Sequence, residues 1–235
     1  MSKLAKTITA VEAATAIAQN SYIHEMEASH IAKIPIQERG KVKFNAIIEA
    51  AEELVLEIGI DSISSHKIAE KANISSASVY QYFPSMGALF SVMAEKHLIR
   101  IFHTVPEAID KIEVRTWQDL ASVIIDCSYD FYTHNKISEM LFLSVYHSSG
   151  VREYTASRFT RLGYWCQGYF ALLYRKADLE ELPEKLALSL DITKTIYIRS
   201  LSLHGEITAS YKDEARIVVM SYLGDYFSKF EDSAK

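Results

Sequence analysis

Residues 47–93 read IIEAAEELVLEIGIDSISSHKIAEKANISSASVYQYFPSMGALFSVM, and the spacing of this stretch decides the fold. An apolar stripe starts at Phe44 and continues through Ile47, Ile48, Ala51, Leu54, Val55 and Ile58. Steps of three and four along it describe one face of an amphipathic helix. Gly59 supplies the stop, because glycine takes a left-handed conformation without a Cβ penalty. Ser64 is placed to cap a short helix over residues 65–71. Asn73 tolerates positive φ and suits a tight turn. A second short helix is expected over residues 76–82. Pro84 and Ser85 then interrupt the chain and open a longer helix to about residue 102.

Two short helices joined by a turn of a few residues have the spacing of a helix-turn-helix. Ile68, Ala69, Ala72, Ile74 and Val79 would hold the pair together. Ser75, Ser76, Ser78, Tyr80, Gln81 and Tyr82 are left to project. In such a unit the second helix enters the major groove, where its early residues reach base edges. Hydroxyls and amides can bond phosphates and bases without positive charge. Spacing alone leaves open a second reading, in which Tyr80, Tyr82 and Phe83 are simply core and no DNA is bound.

Several features, in order, resemble the N-terminal DNA-binding region of TetR-family transcriptional regulators. They are the AA-x-x-L-x-x-x-x-G helix ending at Gly59, the I-S-S-H-K-I-A-E-K-A segment, and I-S-x-x-S-V-Y-Q-Y-F-P. Val79-Tyr80-Gln81-Tyr82-Phe83 is the most distinctive part. The resemblance covers about residues 40–98. It implies a phosphate-contacting hydroxyl at Ser65 and a base-reaching side chain at His66. Ser76 and Ala77 fall at the start of the recognition helix, where base contacts arise. Ser78 and Tyr82 match phosphate contacts, and Tyr80 matches a tyrosine that packs on sugar, phosphate or a thymine methyl. Gln81 joins them on the projecting face.

Four positions depart from the family pattern. Asn73 stands where the turn usually has glycine, and Ala77 where the recognition helix often has one. Met86-Gly87 replaces a Lys-Glu pair at the start of the next helix. The lysine would reach a phosphate, and the glutamate would favour the positive end of the helix dipole. One phosphate contact fewer lowers the salt slope of binding by about one unit. This loss motivates an alternative function: a TetR-like helical dimer that acts through protein–protein contacts without binding DNA.

Outward from this stretch, the chain reads as all-α. Glycine and proline number only eight and four, and hairpin dipeptides such as NG and DG are absent. The expected architecture is an N-terminal helix-turn-helix DNA-binding domain plus a C-terminal helical ligand-binding and dimerisation domain. Residues 1–35 form an extension, helix or arm, that composition does not decide between. Residues 36–84 form the DNA-binding domain and residues 85–235 the effector-binding and dimerisation domain. Further helices are expected at 117–134, 138–148, 152–176, 183–205 and 211–230, with breaks near Gly150 and Pro183.

The formal net charge is −5, unevenly spread. Residues 36–103 hold seven lysines and arginines against eight acids, whereas residues 104–235 hold fifteen against nineteen. DNA binding needs a local basic face, not a basic protein, so the acidity of the body does not exclude it. No apolar run reaches membrane-spanning length, and the N-terminus lacks a secretory pattern, so a cytoplasmic protein without a membrane partner is expected. Cys127 and Cys166 lie in no metal-binding or redox pattern and read as buried, reduced thiols. HExxH, GxSxG, P-loop and dinucleotide fingerprints are absent. No enzyme activity, cofactor or metal is therefore expected.

The body is rich in aromatic residues, most of which must be core. The resemblance adds an effector pocket among its middle helices. Trp117, Tyr129, Tyr132, Phe142, Tyr146, Tyr164, Trp165 and Tyr169 are its candidates, and they favour a small apolar or aromatic effector. The last two long segments read as a homodimer surface, with Ile196, Leu203, Val218, Leu223 and Phe227 as candidates. A two-fold dimer presents two recognition helices to major grooves that recur about every 34 Å, which implies a palindromic double-stranded operator. The expected function is a repressor released from its operator by that effector.

Overall fold

The computed structural model describes residues 32–143, 149–174 and 178–231, with the side chains of residues 149–158 and 231 left aside. Among these residues it holds ten α-helices and no strand. They are α1 Glu38–Ile58, α2 Ser65–Lys71, α3 Ser76–Tyr82, α4 Met86–Leu98 and α5 Ile101–Ile109. Then come α6 Trp117–Thr133, α7 Lys136–Leu143, α8 Ser149–Leu173, α9 Leu182–His204 and α10 Ala209–Glu231. No helix among the described residues is long and apolar enough to cross a membrane.

The chain divides into two compact units. The first, here called the head, holds the described residues up to Ile101 and those between Phe131 and Tyr154. It does not end at residue 84: α4 and α7 fold with the helix-turn-helix. The reason lies in α4, which buries Ala88, Leu89, Met93, Ala94 and Leu98. It packs on both α1 and α7, and α7 also packs on α1. The stripe of α1 buries Phe44, Ile47, Ile48, Ala51, Leu54 and Val55 as its spacing requires. Gly59 closes α1 at φ 80°, its amide donating to Val55 C=O at 3.1 Å.

One buried polar chain crosses the head. Ser138 Oγ lies 3.0 Å from His97 Nδ1, and His97 Nε2 lies 3.3 Å from Glu52 Oε1. The three residues come from α7, α4 and α1, so each group is satisfied by another helix. Burial pushes the Glu52 carboxyl up, but hydrogen bonds from His97 and Lys96 outweigh this and hold it below its ordinary value.

The second unit, the body, holds residues 102–130 and the described residues from 155 onward. The expected single helix through residue 102 is in fact two. The chain breaks at Ile99 and Arg100, where Arg100 N–H makes a tight bond to His97 C=O at 3.2 Å. Pro106 lies inside α5 and has no amide to donate to the carbonyl four residues earlier. The expected spans 117–134, 183–205 and 211–230 lie close to α6, α9 and α10, and the expected 152–176 begins and ends three residues earlier as α8, with Gly150 inside its first turn; residues 144–148 of the expected 138–148 lie outside the described residues. Pro183 sits at the start of α9, where its missing amide leaves no helical bond unmade. Gly205 ends α9 in the left-handed conformation, at φ 73°. α9 and α10 pack together along their length.

Candidate DNA-binding face and body cavity

The geometry of the helix-turn-helix is set by two serines and an asparagine. Ser64 Oγ accepts from Lys67 N–H at 3.3 Å and starts α2. Ser75 Oγ accepts from Ser78 N–H at 3.2 Å and starts α3. Each cap satisfies an amide that the helix itself cannot. Asn73, at φ 52°, is the one non-glycine residue with positive φ among those described. Its amide donates to Glu70 C=O at 3.1 Å, and that of Ile74 to Ala69 C=O at 2.9 Å. The turn therefore closes without glycine.

Val79 and Phe83 are each only 1% exposed and lock α3 inward. With them inside, the opposite face must point out. Tyr80 is 55% exposed, Ala77, Gln81 and His66 are exposed, and Ser76 and Ser78 are half-buried. Ser75 and Ser78 share a hydroxyl–hydroxyl hydrogen bond of 2.9 Å. Tyr82 is half-buried, its ring edge-on to Phe44 at 6.0 Å.

Ser65 departs from expectation. It is 7% exposed, and its hydroxyl donates to Met86 Sδ at 3.5 Å. With the family's usual lysine replaced by a thioether, the serine has an intramolecular partner instead of a free outward hydroxyl. Sequence reading also passed over Lys33, Arg39, Lys43 and Lys67. All four are exposed, and none has an ion pair with a described residue. Their signal was present as the sign of each charge, but sequence does not show which cations are already paired.

The body holds a small cavity of about 20 Å³. Ala121, Ile124, Ile125 and Ser128 of α6 line it with Cys166 and Phe170 of α8. Leu186, Ser189, Leu190 and Thr193 of α9 and Val219 and Leu223 of α10 complete it. Its hydroxyls are turned to their own helices: Ser128 donates to Ile125 C=O, Ser189 to Lys185 C=O and Thr193 to Ser189 C=O, at 2.8, 2.9 and 2.8 Å. Burial pushes the Cys166 thiol up to about 12 and, with Asp130 and Asp126 adding to it, the Cys127 thiol to about 11. Both cysteines are free and buried.

None of the seven aromatic candidates among the described residues lines this cavity. Trp117 stacks on Phe227 at 4.9 Å. Trp165 is edge-on to Phe102 and to Tyr169, at 4.9 and 5.2 Å. Tyr129 meets Tyr197 at 6.3 Å and lies under the Lys212 ammonium. Tyr132 and Phe142 pack together in the head, 6.3 Å apart. Tyr164 is 56% exposed, and Tyr146 lies outside the described residues. The rings fill space, and the gap is left where aliphatic and small side chains meet. The dimer candidates divide similarly. Leu223 and Phe227 are 1% and 0% exposed within one chain, whereas Leu203 and Val218 are 57% and 39% exposed and Ile196 is half-buried.

The capped helix-turn-helix is followed along the chain by a helical body. Residues 47–93 match the bacterial regulatory proteins of the tetR family. Over 71 residues it is 34% identical to the tetracycline repressor protein class A from transposon 1721 of Escherichia coli. That match takes in 30% of this chain and only 33% of the repressor. The whole fold is similar to a TetR-family transcriptional regulator from Streptomyces coelicolor, with a TM-score of 0.60 at 21% identity over 78% of this chain and 98% of that one. It is also similar to RolR in complex with resorcinol, with a TM-score of 0.59 at 15% identity over 78% of this chain and 88% of that one. A third similar structure is the multidrug binding protein EbrR complexed with imidazole, with a TM-score of 0.56 at 18% identity over 81% of this chain and 97% of that one.

Proposed function

We propose that this chain is a ligand-responsive transcriptional repressor that binds a palindromic operator as a homodimer and releases it when a small apolar or aromatic effector enters the body. The observation that carries this reading is the face of α3. Val79 and Phe83 hold it inward while Ala77, Tyr80 and Gln81 are exposed, within the stretch that matches the family. Ser76, Ser78 and Tyr82 flank them, and His66 adds an exposed side chain on α2. The exposed apolar side chains of Leu203, Ile217 and Val218 on α9 and α10 support a second copy as partner. Two copies then present two recognition helices to one face of the duplex.

The cavity supports an effector that must make room for itself. A drug-sized ligand occupies roughly 300 Å³ or more, far beyond the present gap. Its entry therefore pushes apart helices that now touch, and ligand and DNA affinities are coupled reciprocally. Two structural neighbours, RolR and EbrR, are complexed with small ring compounds, resorcinol and imidazole. The test is selection of duplexes from a random pool by the full chain, followed by titration of the bound complex with small aromatic compounds. Enrichment of an inverted repeat is expected. Failure to enrich any duplex would end this reading.

A second reading is favoured by the contact between Ser65 and Met86. It leaves the head without two phosphate contacts that the family pattern implies, and suits a dimer acting through protein contacts. Such a protein would show no enrichment in that selection and would still sediment as a dimer.

A further inference from the structure

Residues 32–36 run without helical structure ahead of α1, and they are pinned to the recognition helix. Lys33 N–H donates to Tyr82 C=O at 2.8 Å, at the C-terminal end of α3. Pro35 lies over Gly40, where an added Cβ would meet Pro35 Cβ at 2.7 Å and stand 3.5 Å from Tyr82 Oη. Glycine thus permits the close approach of the segment, α1 and Tyr82. Phe44 holds the same corner, stacked on Phe83 at 4.7 Å.

What this corner displays is uncovered. Ile34 and Ile36 are 77% and 92% exposed. Lys33 is exposed, as are Arg39 and Lys43, which lie one turn apart on one face of α1. Most other cations of the head already have carboxylates. Lys71 sits between Glu53 and Glu57 at 3.0 and 2.6 Å, Lys96 meets Glu52 at 2.8 Å, and Lys41 meets Glu38 at 2.7 Å. Lys136 pairs with Glu139. The head is nearly neutral in sum, but of its four cations with no ion pair to a described residue, three (Lys33, Arg39 and Lys43) lie on the segment and the first turns of the helix that pack against α3. Local charge of this kind attracts a polyanion whatever the net charge.

We propose that residues 32–36 and the first turns of α1 form a second DNA-contacting strip beside α3. In it Lys33, Arg39 and Lys43 each neutralise a phosphate, and Ile36 packs on the apolar edge of a flanking nucleotide. The proposal rests on the DNA-binding reading above. The phosphate ligand is favoured by charge complementarity: three cations with no carboxylate partner among the described residues lie on the segment and the helix that pack against α3, whose Ala77, Tyr80 and Gln81 are exposed. The strip more than replaces the phosphate contact that Met86 removes.

The test uses the full chain and a duplex it has selected from a random pool. Affinity is measured by fluorescence anisotropy across a range of salt concentrations. Lys33→Gln, Arg39→Gln and Lys43→Gln should each lower the slope of log affinity against log salt by about two units, one contact from each protomer of the dimer, and the triple variant by about five. Ile36→Ser should weaken binding several-fold at an unchanged slope, since it carries no charge. Lys136→Gln, in the same unit but already paired, should leave the slope unaltered. All these positions are exposed, and an unchanged melting temperature will show that folding is intact. Tight binding by the triple variant with the wild-type slope overturns the strip alone. A wild-type chain that selects no duplex overturns both the strip and the regulator reading.

Discussion

The head and the body hold their shapes by different means. In the head, α2, α3 and α4 each begin on one serine, Ser64, Ser75 and Ser85, whose hydroxyls accept the amide three residues on at 3.3, 3.2 and 3.1 Å. A few local bonds fix the start of each short helix, and the outer surface stays free to carry polar side chains. In the body, cohesion comes from rings on rings. Phe227 alone stacks with Trp117, Phe170 and Tyr174 at 4.9, 5.6 and 5.0 Å, drawing on α6, α8 and α10 and the residue after α8. Where geometry is local, one residue decides one feature. Where it is distributed, a gap between helices is the remainder of many packing choices, and an occupant must disturb all of them.

The largest effect should therefore come from the centre of the ring stack. Phe227→Ala is expected to destabilise the chain by about 3–5 kcal/mol, through lost burial and the cavity left behind. Urea unfolding will measure it, and a loss below about 1 kcal/mol would mean the stack is not a keystone. Gly163→Ala should come next. A Cβ there would collide with the Pro183 carbonyl oxygen and stand 3.2 Å from the Ala187 amide nitrogen. Both obstacles are backbone of α9, which cannot rotate away. Overpacking of this kind is worth about 1–3 kcal/mol. If Gly163→Ala melts with the wild type, α8 and α9 approach less closely than described.

The head should answer to smaller changes and more selectively. Ser75→Ala removes the cap of α3 and is expected to lower stability by about 1 kcal/mol. It also removes the hydroxyl partner of Ser78, so binding to a selected duplex should fall with it. Tyr80→Ala separates the two properties. An exposed position away from core features shifts stability by no more than about 0.5 kcal/mol. Loss of a contact to sugar or base should still weaken DNA binding about tenfold, roughly 1.4 kcal/mol. A Tyr80→Ala variant that binds the duplex like the wild type would remove this residue from the interface.

The same contrast explains what could be read from residues alone. Gly59, Ser64, Asn73, Ser75 and Pro84 act on the few residues beside them, so the helix-turn-helix was visible as a pattern. The burial of Ser65 was not legible, because its partner, Met86, lies twenty-one positions on and only the fold brings it near. In the body, Trp117 and Tyr164 carry the same sequence signal, an aromatic residue at helical spacing, yet one is 4% exposed and the other 56%. Leu223 and Phe227 looked like outward dimer contacts for the same reason: periodicity gives a face but not the neighbour that covers it. The cavity left no mark, being lined largely by aliphatic and small side chains that read as ordinary core.

Asn73 should give the smallest effect and the finest test of local control. At φ 52° any side chain with a Cβ is strained, but asparagine is among the least affected, being short and able to bond locally. Asn73→Gly relieves the strain and enlarges the freedom of the unfolded chain, two effects that oppose each other. Its stability should move by no more than a few tenths of a kcal/mol. Asn73→Ala keeps the Cβ and loses the amide, so it should destabilise by about 1 kcal/mol. The order of melting temperatures, with glycine and asparagine close together and alanine below both, checks the left-handed turn directly. If alanine matches asparagine, the turn does not depend on positive φ, and the spacing of α2 and α3 must be held by packing, as in the body.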